Sequence, residues 1–302
     1  MRELDAYDAE NLDEAYRRVI DGRNSEKAMI YAARRLTDLH AFSQGVFGLP
    51  SLYEPLVSGT TEHRHVRAAF ISEDVYRQGV NAISSLEYRD VHYKQRLSVL
   101  WIIAYRTGLR RNDLLRLQLR DVEKGKNLML KVRNNRLGTG KTDNARRVIP
   151  LGVLLIADEY ELVNAFIDKQ RRKHSSDLSA ALFDVEGAPK EKIDPKHVSN
   201  DVVTILDSIG HPGVLHDFRH TALSRLFLIG EREWDLVERY SAYSEEKAEA
   251  IYTAVFGSLY VRHERYRALA AFAGHASPSV TFDYYIHFAG LVLPARLRRS
   301  TR

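Results

Sequence analysis

The chain has 302 residues, no cysteine and a formal net charge of +5. The lack of cysteine excludes disulfides, thiolate zinc sites and cysteine nucleophiles, and a hydrophobic content of 44% predicts a folded chain rather than a disordered one. The basic balance is compatible with a polyanionic partner such as nucleic acid, and equally with an ordinary mildly basic protein.

The first 58 residues predict a short helical region. Apolar residues recur at helical spacing from Asn11 to Asp21, and Asn24 or Ser25 is placed to cap a longer second helix. Glycines and prolines then interrupt the pattern, and a polar run follows, which indicates a linker at 59–71. The amino terminus is acidic and the longest apolar run is too short to span a bilayer, so we expect a cytoplasmic protein with no membrane contact.

A second domain is predicted over 72–302, and its first part is helical. Ser72 is placed to cap a helix. The apolar run from Leu97 to Tyr105 predicts a buried helix, and helical spacing continues from Asn112 to Leu119.

The hydrophobic pattern then changes to one typical of a small β-hairpin. Strands are predicted at Leu128–Val132 and Arg146–Leu151, on either side of a glycine-containing loop. From Val153 onward the pattern is mostly helical, apart from a loop at 173–196. The predicted fold class is therefore mainly α with a small β-hairpin.

Candidate catalytic residues lie in three motifs of this domain. Gly108 permits a sharp entry to a helix whose first turn holds Arg110, and Asp113 lies three residues further on, where a carboxylate can hold a guanidinium. His216 and Arg219 are also three residues apart, so both lie on one side of a helix. Each of these motifs has a plainer interpretation as the exposed start of a helix.

The third motif lies near the end of the chain. Gly274 precedes His275, and Ser277-Pro278 indicates a turn into a helix that carries Tyr284 and Tyr285. A tyrosine alone is a weak signal, because the chain has 16 of them and buried tyrosines usually serve packing.

Taken together, these segments resemble the tyrosine recombinase (phage integrase) family. The resemblance runs from about Ser72 to Phe288. It rests on four segments in order: Thr107–Arg110, Gly140–Thr142 with Arg146–Leu151, His216–Thr221, and Gly274–Thr281 with Tyr285–His287. No single segment is decisive, but the four in this order are highly specific.

The resemblance implies a role for each matching residue. Arg110 and Arg219 match the arginines that clamp the scissile phosphate, and Asp113 matches an acidic supporting residue. Lys141 matches the lysine that protonates the leaving 5′ oxygen. His216 matches the histidine assigned to proton transfer at the nucleophile, and His275 matches a phosphate-binding position.

The nucleophile itself is one of two neighbouring tyrosines. Tyr285-Ile286-His287 resembles the family's Tyr-x-His signature, and its distance from His275 fits many integrases. Some relatives place the tyrosine one residue earlier, which would select Tyr284. We favour Tyr285 and keep Tyr284 as the alternative.

The resemblance implies a site-specific recombinase that integrates or excises DNA through a 3′-phosphotyrosyl intermediate, with no cofactor and no metal. The implied partners are double-stranded DNA, further copies of the chain in a homotetramer, and partner recombinases or accessory DNA-bending proteins. The implied setting is a prokaryotic cell or a phage genome. Two alternatives remain: an inactive or truncated recombinase-derived accessory protein, and an activity like that of a type IB topoisomerase.

The sequence departs from the family in two places. The spacing from Arg219 to His275 is longer than usual, which indicates one or two inserted helices at about 231–265. We favour a solvated surface elaboration over a contact surface for another subunit. The amino-terminal region, which in relatives is a helical DNA clamp, is reduced here. After Tyr285, Leu291–Leu293 is interpreted either as a segment that docks on another subunit or as a disordered tail, and Arg296–Arg299 as a DNA contact.

Overall fold

The computed structural model describes residues 9–52, 55–56, 70–87, 89–140, 146–175, 177–257 and 262–300. The chain divides into two compact units, Met1–Val66 and Arg67–Arg302. Most of the segment predicted to be a linker, 59–69, lies outside the described residues. Within the described ranges, no helix is both long enough and apolar enough to cross a membrane.

The described residues of the first unit form two helices, α1 (Ala9–Asp21) and α2 (Glu26–Phe47). Ser25 caps α2, because its hydroxyl accepts a hydrogen bond from the backbone N–H of Ala28 at 3.3 Å. The small side chains of Ala32 and Ala33 are buried, as is Leu12. Both helices were predicted, and Ser25 rather than Asn24 is the cap.

The second unit is a helical domain with two small antiparallel sheets. Its helices are, in chain order, α3 (Glu73–Ser84), α4 (Val91–Thr107), α5 (Arg111–Leu115), α6 (Leu151–Leu154), α7 (Ala157–Lys173), α8 (Pro195–Ser208), α9 (Leu215–Gly230), α10 (Trp234–Tyr240), α11 (Glu245–Phe256), α12 (Arg262–Ala273), α13 (Pro278–Tyr285) and α14 (Ala289–Ser300). The mainly helical fold class is confirmed.

The two sheets are built from five short strands. One sheet has the order β1 (Val122–Lys124), β2 (Leu128–Val132) and β3 (Arg147–Ile149), and the other pairs β4 (Asp184–Val185) with β5 (Ala188–Lys192). The hairpin was predicted, but β1 was not, and the prediction of a loop at 173–196 is wrong where β4, β5 and the start of α8 lie. These strands have only two to five residues, too few for a clear alternating pattern.

The core of the second unit centres on α4 and α9, which pack against each other. From Leu97 to Thr107 nearly every side chain of α4 is buried, as predicted for a buried helix, and α9 is buried along almost its whole length. Trp101 of α4 packs edge-on against Phe218 of α9, with ring centroids 4.7 Å apart. The functional side chains of α9 therefore stand on a rigid central helix.

A buried ionic network joins α3, α4 and α7. The guanidinium of Arg106 donates to Glu73 at 2.6 Å and to Glu159 at 2.7 Å, and the hydroxyl of Tyr76 donates to Glu159 at 2.6 Å. The Arg106 side chain has no exposed surface, so removal of either carboxylate would leave a buried charge only partly compensated.

The helix predicted from Asn112 to Leu119 is shorter than expected, because α5 ends at Leu115. Beyond that point the backbone turns away to pair with another segment: the N–H of Leu182 donates to the carbonyl of Leu117 at 2.8 Å, and the N–H of Leu119 donates to the carbonyl of Ala180 at 3.1 Å. Hydrogen bonds to residues distant in sequence thus replace the hydrogen bonds that a longer helix would make locally.

The described residues of the additional segment between Arg219 and His275 include α10, α11 and the start of α12. The favoured interpretation as a solvated elaboration is wrong for α10 and α11, because their apolar faces join the central core. Val237 of α10 and Ala248 and Ile251 of α11 have at most 1% of their surface exposed.

The chain continues as a helix after the candidate nucleophile. Within α14, Val292 is buried, and Arg296 donates to Glu233 at 2.8 Å and to Glu231 at 2.6 Å. The interpretation of this segment as a disordered tail is therefore wrong, and the guanidinium of Arg296 is paired with carboxylates of its own chain. The side chains of Leu293 and 297–299 lie outside the described residues.

Candidate active site

Arg219 lies one turn into α9, and its guanidinium is almost completely buried, with 1% of the residue exposed. It donates to the carbonyl of Gly108 at 2.7 Å, to the carbonyl of Ala273 at 2.6 Å and to Nε2 of His275 at 2.8 Å. Its Nε is buried and has no hydrogen-bond partner among the described residues. The side chain thus joins the turn after α4 to the turn before α13, and keeps one donor free.

Gly108 makes this approach possible. It ends α4 with φ +63°, a left-handed conformation that favours glycine. A Cβ at this position would lie 3.0 Å from the Cβ of Ala222 and 3.3 Å from the Cα of Arg219. A side chain here would therefore push the carbonyl of Gly108 away from α9.

The surroundings of Arg219 depress its pKa. Burial lowers it to about 10, the nearby charge of Arg110 acts in the same direction, and Tyr285 partly offsets both. A buried cation in this state gains from the arrival of an anion, because the anion replaces part of the lost solvation.

His275 follows Gly274 in the turn between α12 and α13, and both of its ring nitrogens have partners. Nε2 faces Arg219, and Nδ1 lies 2.8 Å from the hydroxyl of Thr281. Burial, followed by the charges of Arg219 and Arg110, lowers the pKa of His275 to about 3. The imidazole is therefore neutral near pH 7.

Tyr285, the last residue of α13, packs into this cluster. Its ring stacks on His275 with centroids 4.9 Å apart, and the guanidinium carbon of Arg219 lies 4.9 Å from the same ring. His216 and His220 approach it from α9, at centroid distances of 5.6 Å and 4.8 Å. The structure therefore brings together Arg219, His275, His216 and Tyr285.

The backbone around Tyr285 is bound to α9. The hydroxyl of Ser224 donates to the carbonyl of Tyr285 at 3.0 Å and accepts from the N–H of His287 at 3.1 Å. The neighbouring Tyr284 is part of α13, but its side chain lies outside the described residues.

Arg110 borders an open groove next to the cluster. It occupies the N-cap position of α5, and its guanidinium donates weakly to the carbonyl of Gly274 at 3.4 Å. The groove has a volume of about 620 Å³, and its lining includes Arg110, Arg111, Arg116, Thr139 and His216. Its cations suit an anionic ligand such as a phosphate.

Lys141, the remaining cation predicted for the site, lies outside the described residues, which stop at Gly140 and resume at Arg146. Thr139 and Gly140 line the groove that Arg110 borders. The loop that carries Lys141 therefore leaves the described structure at the edge of that groove.

The sequence profile of the phage integrase family matches residues 70–258. The chain belongs to the phage integrase family. This confirms the resemblance that the four motifs indicated. The matched range ends before His275 and Tyr285, so the assignment of these two residues rests on their motif and on their contacts with Arg219.

One curated relative in the family is the tyrosine recombinase XerC of Staphylococcus haemolyticus. It is 25% identical over 196 residues, which cover 61% of this chain and 61% of the relative. The match thus spans less than two thirds of the relative's own length.

Solved structures show the same fold. The Tn1549 transposon integrase, in complex with transposon right end DNA, superposes with a TM-score of 0.57 at 15% identity, over 99% of this chain and 87% of that one. The XerH site-specific recombinase, bound to a palindromic difH substrate, gives a TM-score of 0.52 at 17% identity, over 85% and 71%. At these identities the likeness establishes the fold alone.

The position of Asp113 differs from the sequence-based expectation. Its carboxylate was expected to hold Arg110, but it forms an ion pair with Arg116 at 2.9 Å and accepts a hydrogen bond from Arg147 at 3.2 Å. Because α5 ends after five residues, Asp113 points toward the sheet rather than along a continuing helix. It therefore joins α5 to β3, the strand that follows the Lys141 loop.

Sequence analysis gave no individual role to four residues that the structure adds to the site: Thr281, His220, His287 and Arg147. Nε2 of His287 lies 3.0 Å from Nδ1 of His220, which flanks Tyr285. All four residues lie inside the motifs quoted above, but only their contacts in the folded chain distinguish them from the packing residues around them.

Proposed function

We propose that this chain is a site-specific DNA recombinase that cleaves and rejoins DNA through a 3′-phosphotyrosyl intermediate formed by Tyr285. One observation carries the proposal: the ring of Tyr285 lies against both the Arg219 guanidinium and His275, although these groups come from separate motifs. The buried, unpartnered Nε of Arg219 adds a donor that a phosphate oxygen would satisfy.

In the proposed reaction the phenolic oxygen of Tyr285 attacks the scissile phosphorus. A bond forms between phosphorus and the tyrosine oxygen, and the bond to the 5′ oxygen breaks. Arg219 and Arg110 stabilise the negative charge on the non-bridging oxygens, because guanidinium groups donate paired hydrogen bonds and stay charged. A 5′ hydroxyl reverses the reaction, since the phosphotyrosyl bond keeps the energy of the broken phosphodiester.

Two proton transfers accompany these bond changes. His216 accepts the phenolic proton. Partial desolvation, followed by the nearby charges of Arg219 and Arg110, lowers its pKa, which favours the neutral form that can accept a proton. Lys141 donates a proton to the departing 5′ oxygen. The second role comes from the family resemblance.

The proposed reaction requires a rearrangement around Arg219 before cleavage. Arg219 is covered by its own hydrogen bonds and by the Tyr285 ring, so an incoming phosphate must displace at least one of them. We infer that the phenol ring of Tyr285 rotates away from the Arg219 guanidinium when DNA occupies the groove.

The proposed partners follow from the groove and from the relatives. We propose that double-stranded DNA lies along the cations of the Arg110 groove, with residues 72–302 as the catalytic domain, 59–71 as a linker and 1–58 as a reduced DNA clamp. The Tn1549 and XerH structures contain DNA, which supports this proposal. We further propose a homotetramer at synapsis, with partner recombinases or DNA-bending proteins as accessory factors, in the cytoplasm of a prokaryotic cell.

Covalent trapping tests the proposal. The protein is incubated with nicked duplexes tiled from the DNA that flanks its own gene, and adducts are resolved on denaturing gels. We expect an adduct that is absent in Tyr285→Phe and present in Tyr284→Phe, which is the matched control one residue away. The reverse pattern would move the nucleophile to Tyr284.

Two other outcomes point to the alternative functions. DNA binding without an adduct on any duplex would favour an accessory protein. Adduct formation accompanied by relaxation of supercoils without joining of two sites would favour a topoisomerase.

A further inference from the structure

His275 is held at both ring nitrogens by buried neighbours. Nη2 of Arg219 lies 2.8 Å from Nε2, and the hydroxyl of Thr281 lies 2.8 Å from Nδ1. The exposed fractions of Thr281, Arg219 and His275 are 0%, 1% and 7%. Thr281 sits near the start of α13 and reaches back to the turn that carries His275.

The hydrogen-bonding capacities of these groups fix the tautomer. A guanidinium only donates, so Nε2 of His275 must be the unprotonated acceptor in the DNA-free protein. A neutral imidazole carries one proton, which then resides on Nδ1 and is donated to the hydroxyl oxygen of Thr281.

A hydroxyl can also donate, and this matters once a phosphate competes for Arg219. If Nε2 carries the proton instead, it can donate to a phosphate oxygen while the hydroxyl of Thr281 donates to Nδ1. One proton leaves Nδ1 for solvent and one arrives at Nε2, so the charge of the imidazole does not change.

We propose that Thr281 is a positioning residue that sets the ring orientation of His275, so that Nε2 faces Arg219 and the phosphate in either tautomer. The inference rests on the proposed recombinase function, in which Arg219 and His275 bind the scissile phosphate. Residues that orient metal-bound histidines through the second ring nitrogen change activity about 10–100-fold, and we expect an effect of the same order here.

Two substitutions separate a hydroxyl effect from a packing effect. Thr281→Val keeps the branched shape and removes the hydroxyl, whereas Thr281→Ser keeps the hydroxyl and removes a methyl group. If Thr281 only fills space, the valine variant cleaves like the wild type and the serine variant is slower. If Thr281 positions His275, the serine variant cleaves like the wild type and the valine variant is slower.

The first measurement is the rate of covalent adduct formation on the nicked duplexes from the flanking DNA. We expect the serine variant to stay close to wild type and the valine variant to be slower by about 10–100-fold. A valine variant as fast as wild type, or faster than the serine variant, overturns the proposal.

The second measurement reads the tautomer without DNA. Ring ¹⁵N chemical shifts in histidine-labelled protein, with the His275 signals assigned by their loss in His275→Gln, should show Nδ1–H in wild type and in Thr281→Ser. A wild-type Nε2–H tautomer, or an Nδ1–H proton that exchanges with solvent as slowly in Thr281→Val as in wild type, contradicts the proposal. If the wild type forms no adduct, the recombinase proposal fails, and this measurement alone decides the role of Thr281.

Discussion

Arg219 makes three hydrogen bonds within the protein, and its Nε remains as a donor for a phosphate oxygen. Two of the acceptors are backbone carbonyls on either side of the guanidinium, which fix its plane. At the scale of single residues, the site is thus a pre-oriented arginine with neutral imidazoles around it, and the phenol ring of Tyr285 lies over it.

We expect Arg219→Lys to slow cleavage by about 10²–10³-fold, because an ammonium cannot reproduce the paired donors of a guanidinium. The salt dependence of DNA binding should change little, since the charge is kept. Single-turnover adduct formation measures the effect, with Arg172→Lys, an exposed arginine on α7, as the control. Wild-type rates in Arg219→Lys would contradict the assignment of Arg219 as a phosphate clamp.

The histidine cluster predicts a pH dependence of stability. Burial, followed by the nearby His216 and His287, lowers the pKa of His220 to about 4. The unfolded chain therefore binds more protons than the folded one between about pH 6.5 and pH 4, so the free energy of unfolding should fall as the pH drops through this range, by about 3 kcal/mol for this group.

Urea unfolding at several pH values tests this dependence. His220→Gln should flatten the fall between pH 6.5 and pH 4, while His92→Gln, an exposed histidine on α4, should leave it unchanged. If the free energy of unfolding falls equally in His220→Gln and wild type, the surroundings of His220 do not depress its pKa.

At the scale of elements, the site depends on the contact between α5 and β3. Asp113 binds the buried Arg147 side chain at 3.2 Å, and Arg147 follows the loop of Lys141 by a few residues. Burial lowers the pKa of Arg147, and Asp113 offsets this. This ion pair therefore fixes the base of the loop that carries the proposed general acid.

We expect Arg147→Gln to slow cleavage about 10–100-fold by loosening that loop. The defect should shrink on a substrate whose 5′ bridging oxygen is replaced by sulfur, because a thiolate leaves without a proton from Lys141. Arg146→Gln, at the exposed neighbouring position, is the matched control. A defect of equal size on both substrates would show that Arg147 acts elsewhere.

The sequence predicted the elements whose signal is local. Ser25 and Ser72 mark helix starts by their capping side chains, and the apolar run from Leu97 to Tyr105 marks a helix buried on all sides. The end of α5 and the strands β1, β4 and β5 were missed, because they depend on pairing with distant segments such as Ala180–Leu182.

The same distinction applies to the site. The motifs indicated Arg110, Arg219, His275 and Tyr285, and the structure brings the last three into contact. That Asp113 binds Arg147 rather than Arg110 could not be predicted, since it depends on how α5 meets the sheet. The contact of Thr281 with His275 depends on the turn between α12 and α13.

At the scale of the whole molecule, the additional segment between Arg219 and His275 contributes to the core of the second unit. Glu231 and Glu233, which follow α9, are buried and bind Arg296 of α14. The additional helices α10 and α11 thus share the packing of the catalytic helices rather than standing apart from them.

We expect Ile251→Ala in α11 to lower the free energy of unfolding by about 2–5 kcal/mol, because it leaves a cavity at a fully buried position. Thr253→Ala, at an exposed position of the same helix, should change it by about 0.5 kcal/mol or less. Urea denaturation measures both. A small effect of Ile251→Ala would mean that α11 can detach from the core.

The central claim is that Tyr285 forms the covalent bond to DNA, and peptide mapping of the trapped adduct tests it most directly. After nuclease and trypsin digestion, the peptide from Ala268 to Arg296 contains both Tyr284 and Tyr285, and tandem mass spectrometry locates the remaining nucleotide. We expect the phosphonucleotide mass on Tyr285. The same mass on Tyr284, or an adduct on a peptide outside 268–296, would contradict it.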